Sequence, residues 1–170
     1  MRYFYSLIIL VLIYSCSENK TVKEVIKINN FWLDSIIRKS DTTWIKSYRN
    51  QEFVTAEYFV NKKESIVTQI MKDASDTIRQ INISKYDNIL LFFAEYYPNG
   101  QLKAGLSLDK EGKYNGPGKF YYEDGTVKSS GIYHHGFYYG NWRNFGKDGK
   151  LSSTDIYDST GQLVKSIQAN

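Results

Sequence analysis

The sequence is poor in several residues that often carry covalent or metal chemistry. Its 170 residues include one cysteine, two histidines and two prolines. A single cysteine excludes an internal disulfide framework and a metal site built from cysteines. The shortage of proline excludes a collagenous or proline-rich disordered chain. A strong charge excess is also lacking, since 22 basic and 18 acidic residues leave a net charge of +4, which does not indicate a nucleic-acid binder.

Aromatic residues, by contrast, are abundant. The chain contains 15 tyrosines, 9 phenylalanines and 3 tryptophans, against 2 methionines. Aromatic side chains favour the half-buried surface of a pleated sheet. The composition therefore predicts a single domain rich in β-strands rather than a helical protein.

The beginning of the chain has the pattern of an export signal. Met1 and Arg2 precede an uncharged run over residues 3–14 that is rich in leucine and isoleucine. A membrane-spanning helix needs about 20 apolar residues, so this run is too short to span and fits the apolar region of a signal peptide. The run ends in Ile-Tyr-Ser-Cys at 13–16, which resembles the lipobox of bacterial lipoproteins.

The lipobox resemblance implies that residues 1–15 are removed and that Cys16 becomes an acylated N-terminus anchored to a membrane. Two or more acyl chains give stable anchoring, whereas one chain gives only marginal attachment. The implied location is the bacterial cell envelope, facing either the periplasm or the outside. The alternative is that Cys16 is a chance thiol at the end of an uncleaved apolar segment.

Three regions follow the predicted signal. Residues 16–43 form a tether with a short amphipathic helical element, because Leu33 and Ile36 recur at helical spacing. Residues 44–90 predict β-hairpins, since β-rich stretches alternate with polar turn residues, and they could hold degenerate repeats without glycine. Residues 91–170 carry a clear repeat.

The repeat consists of four segments that each end in a glycine. These glycines, Gly100, Gly125, Gly149 and Gly161, lie 25, 24 and 12 residues apart. Each has an aromatic residue four positions before it (Tyr96, Tyr121, Phe145, Tyr157) and an aliphatic residue two positions after it (Leu102, Val127, Leu151, Leu163). A left-handed glycine closes a three-residue hairpin loop, which places those two positions opposite each other on one face. The repeat predicts stacked hairpins whose paired side chains form one apolar stripe.

The segments that carry this repeat resemble the variant MORN repeat family, which includes bacterial YwqK-type antitoxin-like proteins. The similar segments are 95–103 (EYYPNGQLK), 120–128 (FYYEDGTVK) and 140–145 (GNWRNF). The resemblance implies an all-β fold, an antiparallel β-meander of consecutive hairpins in an open, twisted, single-layer sheet. The family defines no catalytic residue, so the resemblance implies none here.

Familiar catalytic motifs are absent from the sequence. It has no Gly-x-Ser-x-Gly elbow, no phosphate-binding glycine loop and no His-Glu-x-x-His. On a strand, His134 and His135 would point to opposite faces, so the two would not readily bind one metal ion. Close carboxylates such as Glu123 and Asp124 lie in or beside turns, where aspartate is favoured for backbone reasons. We therefore predict a non-enzymatic protein without a metal or cofactor.

The predicted binding surface combines tyrosines with basic side chains. The candidates expected to share the face opposite the apolar stripe are Tyr97, Tyr122, Tyr138 and Tyr139, with Lys103, Lys128 and Arg143 nearby. Tyrosine and arginine are enriched in interaction hot spots, so a protein partner is preferred over a glycan. No nucleic-acid partner is expected for an exported protein, and the oligomeric state stays open. The competing interpretation is a partly covered sheet whose lysines keep the strands soluble.

The sequence as a whole predicts an exported, lipid-anchored, non-enzymatic protein-interaction module. The alternative is an antitoxin or immunity-type protein that neutralises a toxin by direct binding, as the family resemblance suggests. A hydrolase on a β scaffold would require a deep pocket with convergent polar groups, and a passive spacer would require no binding surface at all.

Overall fold

The computed structural model describes residues 33–48 and 53–169, which form one all-β sheet. Eleven strands pair antiparallel with their neighbours in chain order, from β1 to β11. The strands are β1 (Thr42–Ser47), β2 (Thr55–Asn61), β3 (Ile66–Lys72), β4 (Ile78–Lys85), β5 (Leu90–Tyr96), β6 (Leu102–Ser107), β7 (Gly116–Tyr121), β8 (Val127–His134), β9 (Phe137–Phe145), β10 (Leu151–Tyr157) and β11 (Leu163–Gln168). The first and last strands do not pair with each other, so the sheet is open, and the predicted all-β hairpin meander is confirmed.

The described part of the chain also contains a helical segment over residues 33–38, within the region for which the sequence predicts a short helix. Leu33 and Ile36 turn toward the sheet and pack on it. Among the described residues, no helix has the length and apolar character to cross a membrane. The predicted signal segment 1–15 and Cys16 lie outside the described residues.

Because consecutive strands run in opposite directions, their turns alternate between the two ends of the strands. The first row contains the turns that follow β3, β5, β7 and β9, and the second row contains those that follow β2, β4, β6, β8 and β10. Gly100, Gly125 and Gly149 lie in the first row, whereas Gly161 lies in the second. The 12-residue spacing before Gly161 is thus half of the 24-residue period, which comprises two strands and two turns.

The first-row turns have the hairpin geometry that the glycine pattern predicts. Gly100 has φ of +81° and donates its N–H to the Tyr97 carbonyl at 2.9 Å, while the Tyr97 N–H bonds to Gln101 at 2.8 Å. Tyr96 then pairs with Leu102. The turns at Gly125 and Gly149 repeat this arrangement, pairing Tyr121 with Val127 and Phe145 with Leu151.

The fourth predicted pair, Tyr157 with Leu163, forms in the second row and on the opposite face of the sheet. Tyr157 packs with Trp142 in one cluster, whereas Phe145 lies three residues from Trp142 on the same strand and so points the other way. The prediction that all four pairs form one stripe is therefore wrong for the pair of Tyr157 and Leu163, which lies on the other face. The reason is the half period, since a shift of one strand and one turn moves a side chain to the other end and the other face.

The strands before residue 90 use the same turns without glycine. Asp76, which lies 24 residues before Gly100, has φ of +60° and donates its N–H to the Asp73 carbonyl at 3.1 Å. Asn88 and Ser65 take left-handed conformations in second-row turns. Asp and Asn tolerate this region better than most residues, because their short polar side chains bond to nearby backbone.

The two buried clusters of the sheet lie on opposite faces. The face that carries the helical segment, here called the helix face, buries Phe59, Ile70, Ile81, Ile83 and Ala94. The other face, here called the aromatic face, buries Leu106, Tyr133 and Trp142, with Phe120 and Tyr157 against them. Paired residues share a face, so Ala94 and its partner Gly105 both lie on the helix face. Leu106 is the next residue of the strand and therefore points to the other face.

The aromatic cluster is built on two glycines. A side-chain carbon at Gly131 would overlap the ring of Trp142, and one at Gly118 would lie 2.8 Å from the Tyr133 ring. The Trp142 indole therefore lies directly on the backbone and donates its Nε1–H to the Ile132 carbonyl at 3.0 Å. Trp142 is only 4% exposed although residues 33–48 and 53–169 place no second layer over it, because the glycines let the ring lie close to the strands and the rings of Tyr133 and Tyr138 pack against it.

Candidate functional site

The helix face of strands β7–β11 is left uncovered by the helical segment and is here called the open face. Ile132 and Tyr139 pair directly across β8 and β9 on this face, and they are 51% and 45% exposed. Ile167, across from Thr154, is 44% exposed. Ile132 and Tyr139 thus form an exposed apolar pair, and Ile167 lies on the same face two strands away from Tyr139. Exposed apolar groups that lie next to each other mark interaction sites more often than single scattered ones do.

The charges on the open face have one sign. Its strand positions include Lys119 on β7, Arg143 on β9 and Lys165 on β11. Along these described strands, no Asp or Glu occupies a position on this face, and no salt bridge engages the three cations. Asp155, which is the acidic residue on strands β7–β11, points to the aromatic face and accepts hydrogen bonds from Asn144 and Ser166. The open face is thus apolar and basic.

Two tyrosines predicted to bind a partner instead join successive turns of the first row. The Tyr97 hydroxyl donates to the Tyr121 carbonyl at 2.9 Å, and the Tyr122 hydroxyl donates to the Phe145 carbonyl at 2.9 Å. Both tyrosines are half-buried. The series ends at the next turn, because Gly146 stands where a third tyrosine would be required.

The predicted lysines Lys103 and Lys128 lie beside these two tyrosines. The Lys103 ammonium is 6.0 Å from the centre of the Tyr97 ring, and the Lys128 ammonium is 5.9 Å from that of Tyr122. Lys103 also forms an ion pair with Glu95 at 2.6 Å. These tyrosines and lysines already have partners within the sheet. Their contacts therefore stabilise the turns and their register, and they are less available to bind another molecule.

The structure does not bring the seven binding candidates onto one face. Tyr138 pairs with Tyr133 and contacts the ring of Trp142 at 4.4 Å, so it belongs to the aromatic face. Tyr139 is the next residue of the same strand and lies on the open face with Arg143. The prediction that Tyr138 and Tyr139 share a face is wrong, because adjacent residues of a strand point to opposite sides.

The most important open-face residue that sequence reasoning missed is Ile132. It forms no part of the glycine repeat. The available signal was the two-residue period of β8, which places Ile132 on the same face as His134 and opposite Tyr133. Ile156 and Lys165, which pair across β10 and β11, were missed for the same reason. Assigning these residues to a face requires the bulge between β8 and β9, which no short motif encodes.

A second polar cluster lies in the second row of turns. The Nδ1 atom of His135 is 3.0 Å from a carboxylate oxygen of Asp109, and Glu111 lies beside them. The other Asp109 oxygen accepts the N–H groups of Lys113 and Glu111, both at 3.0 Å. These backbone hydrogen bonds, together with His135, hold the pKa of Asp109 below its usual range.

A cavity of about 270 Å³ lies between the helical segment and the sheet. Its walls include Ile36, Phe59, Ile66 and Ile83. Thr68 also lines it, and its buried hydroxyl has no hydrogen-bond partner among the described residues. Apolar surface dominates its walls, which also include the exposed Lys39 and Glu64.

Comparison with known proteins leaves the family open. No known family and no curated protein matches the sequence. Among solved structures, one described as "Crystal Structure of TarM" aligns with 85% of this chain at 14% identity and a TM-score of 0.36. The alignment covers 26% of TarM, so this chain spans about a quarter of that protein's length, and a similarity at this level supports no argument about fold or function.

Proposed function

We propose that this chain is a non-enzymatic binding module whose open face docks onto an acidic surface of a protein partner. The observation that carries the proposal is that exposed Ile132 and Tyr139, on β8 and β9, share a face with Arg143 on β9 and Lys165 on β11, neither of which forms a salt bridge among the described residues. Apolar contacts would supply most of the affinity, while the cations would orient an acidic partner and accelerate its association. Folding does not require apolar side chains to be exposed at these positions. A binding function gives a reason for their exposure.

The test is photo-crosslinking in the cells that produce the protein. A photoreactive phenylalanine analogue replaces Tyr139 in one variant and, as a matched control, the exposed Tyr86 outside the open face in another. We expect position 139 to yield a discrete adduct with an acidic protein and position 86 to yield none. The double charge reversal Arg143→Glu with Lys165→Glu should abolish the adduct, and raising the salt concentration should reduce it.

The matched reversal is Lys150→Glu, an exposed lysine in a first-row turn, which should leave the adduct unchanged. Adducts of equal yield at positions 139 and 86 would contradict the proposal. An adduct that survives the double reversal would also contradict it, because the charge complementarity would then play no part.

The membrane anchor belongs to the same proposal. If Cys16 is acylated, the module is held at a membrane of the cell envelope and meets its partner there. Metabolic labelling with a palmitate analogue should label the wild-type chain and leave Cys16→Ala unlabelled. Equal labelling of the two would reject the anchor and leave the open-face experiment unaffected.

A further inference from the structure

We propose that the second row of turns contains a binding site for a divalent transition-metal ion such as Zn²⁺, formed by Asp109, Glu111 and His135. Each of the three offers one ligand atom, and these atoms all lie within 4.8 Å of one another. The two sides of the site come from different turns, one after β6 and one after β8. The ion would therefore connect consecutive units of the repeat.

Backbone contacts hold the two turns together without an ion. Asp109 caps its own turn by accepting the N–H groups of Glu111 and Lys113. Gly136 donates its N–H to the Tyr114 carbonyl at 2.8 Å, which joins the β8–β9 turn to the β6–β7 turn. His135 has φ of +49°, a left-handed conformation that histidine adopts more readily than most residues, and its ring lies beside the Asp109 carboxylate.

The ligand types select the class of ion. One imidazole with two carboxylates suits Zn²⁺, Ni²⁺ or Cu²⁺, whereas Ca²⁺ and Mg²⁺ prefer ligand sets made of oxygen alone. The 3.0 Å separation of the His135 nitrogen and the Asp109 oxygen is close to that of two adjacent ligands around an ion about 2.0–2.2 Å from each. Glu111 and His135 are exposed, so an ion has access from solvent and water can complete its coordination.

The site requires a neutral histidine. The Nδ1 atom that faces Asp109 must lose its proton before it can coordinate, because metal ions bind deprotonated ligands. Binding should therefore weaken when the solution is acidified, because protons compete with the ion for the ligand atoms. His134, whose ring contacts that of His135 at 4.5 Å, is outside the three-ligand group and provides a natural control.

The experiment is a calorimetric titration of ZnCl₂ into the full chain, purified without a polyhistidine tag, at about pH 7.5. We expect one Zn²⁺ per chain, and a rise in the melting temperature on adding the ion, because only the folded chain assembles the site. His135→Gln and Asp109→Asn should each weaken binding by roughly tenfold or more. His134→Gln should leave it unchanged.

The variants are also melted in the presence of EDTA to separate folding from binding. Asp109→Asn keeps an oxygen that can accept the two backbone N–H groups, so it tests ligation with the turn retained. Absence of Zn²⁺ binding by the folded wild type would overturn the proposal. So would equal losses in the His134→Gln and His135→Gln variants, or Ca²⁺ binding as tight as Zn²⁺ binding and independent of His135.

Discussion

Trp142 is buried in a single-layer sheet because two residues on neighbouring strands have no side chain. Gly131 lies under the indole, and Gly118 lies near its far edge. Gly118 occupies the position that corresponds to Trp142 one 24-residue period earlier. The departure from an exact repeat therefore has a physical cause, since a second bulky ring at position 118 would collide with the first.

This contact predicts the effect of adding one methyl group. Gly131→Ala should destabilise the fold by about 2–3 kcal/mol, because the new carbon would overlap the Trp142 ring and the indole would have to move. Denaturant unfolding with near-ultraviolet circular dichroism measures both the loss and the altered tryptophan environment. The control is Gly105→Ala, whose added carbon meets Phe92 at an ordinary 3.7 Å. Equal effects of the two substitutions would contradict the explanation.

Tyr96 predicts an alkaline change in stability. Burial against the helix-face cluster raises its pKa from 10.0 to about 12. Its neutral form stabilises the fold fully below pH 10, and this contribution is lost as the pH rises toward 12, because the unfolded chain ionises first. Raising the pH from 8 to 11 should lower the free energy of unfolding of both proteins. The loss should be about 1 kcal/mol smaller in Tyr96→Phe than in the wild type, because the variant has no hydroxyl to ionise at this position. Parallel losses in the two proteins between pH 8 and 11 would refute this assignment.

At the scale of the elements, the tyrosine hydroxyls of the first row join one hairpin to the next. Tyr122→Phe removes the hydrogen bond to the Phe145 carbonyl and should cost about 0.5–1.5 kcal/mol. The matched control is Tyr139→Phe, which removes an exposed hydroxyl with no protein hydrogen bond in the described part of the chain. Thermal unfolding compares the two, and an equal loss would show that the hydroxyl of Tyr122 does not stabilise the turn.

Local chemistry explains why the hairpins could be predicted from the sequence. A glycine at the left-handed position fixes the turn, and the turn fixes the register of Tyr96 with Leu102. The same logic misses Asp76 and Asn88, which adopt that conformation with a side chain. The stripe of four pairs failed at Tyr157 because the sequence spacing alone does not distinguish a full period from half of one.

The candidate site was much less predictable than the hairpins. Whether Ile132 is buried or exposed depends on where the helical segment ends over the sheet, and no residue near Ile132 encodes that. The contact between His135 and Asp109 joins residues 26 positions apart in adjacent turns of one row. Such a contact follows from the stacking of the repeat units, which local patterns do not specify.

At the scale of the whole molecule, strands contact their sequence neighbours rather than distant parts of the chain. The helix-face cluster belongs to β2–β5, and the aromatic cluster belongs to β6–β10. Stability in such an array is close to a sum of unit and interface contributions. The two halves should therefore respond separately to a local change.

Hydrogen exchange tests this separation. Gly131→Ala should accelerate amide exchange in β7–β10 while leaving β3 and β4 close to the wild-type rate, because Ile70 and Ile81 do not contact the aromatic cluster. Uniform acceleration across all strands would contradict the separation and indicate a single cooperative unit.

The two rows of turns are separated by one strand and one turn, which is half of the 24-residue period. This separation restricts which insertions or duplications in the gene preserve the fold. Inserting one strand with its turn would reverse the direction of everything downstream and exchange the two sides of the sheet, so that Trp142 would meet solvent instead of Gly118. Inserting a complete pair of strands preserves direction, side and partner. Lengthening by tandem duplication is therefore compatible with this architecture only in steps of about 24 codons, and insertions of half that size should be purged.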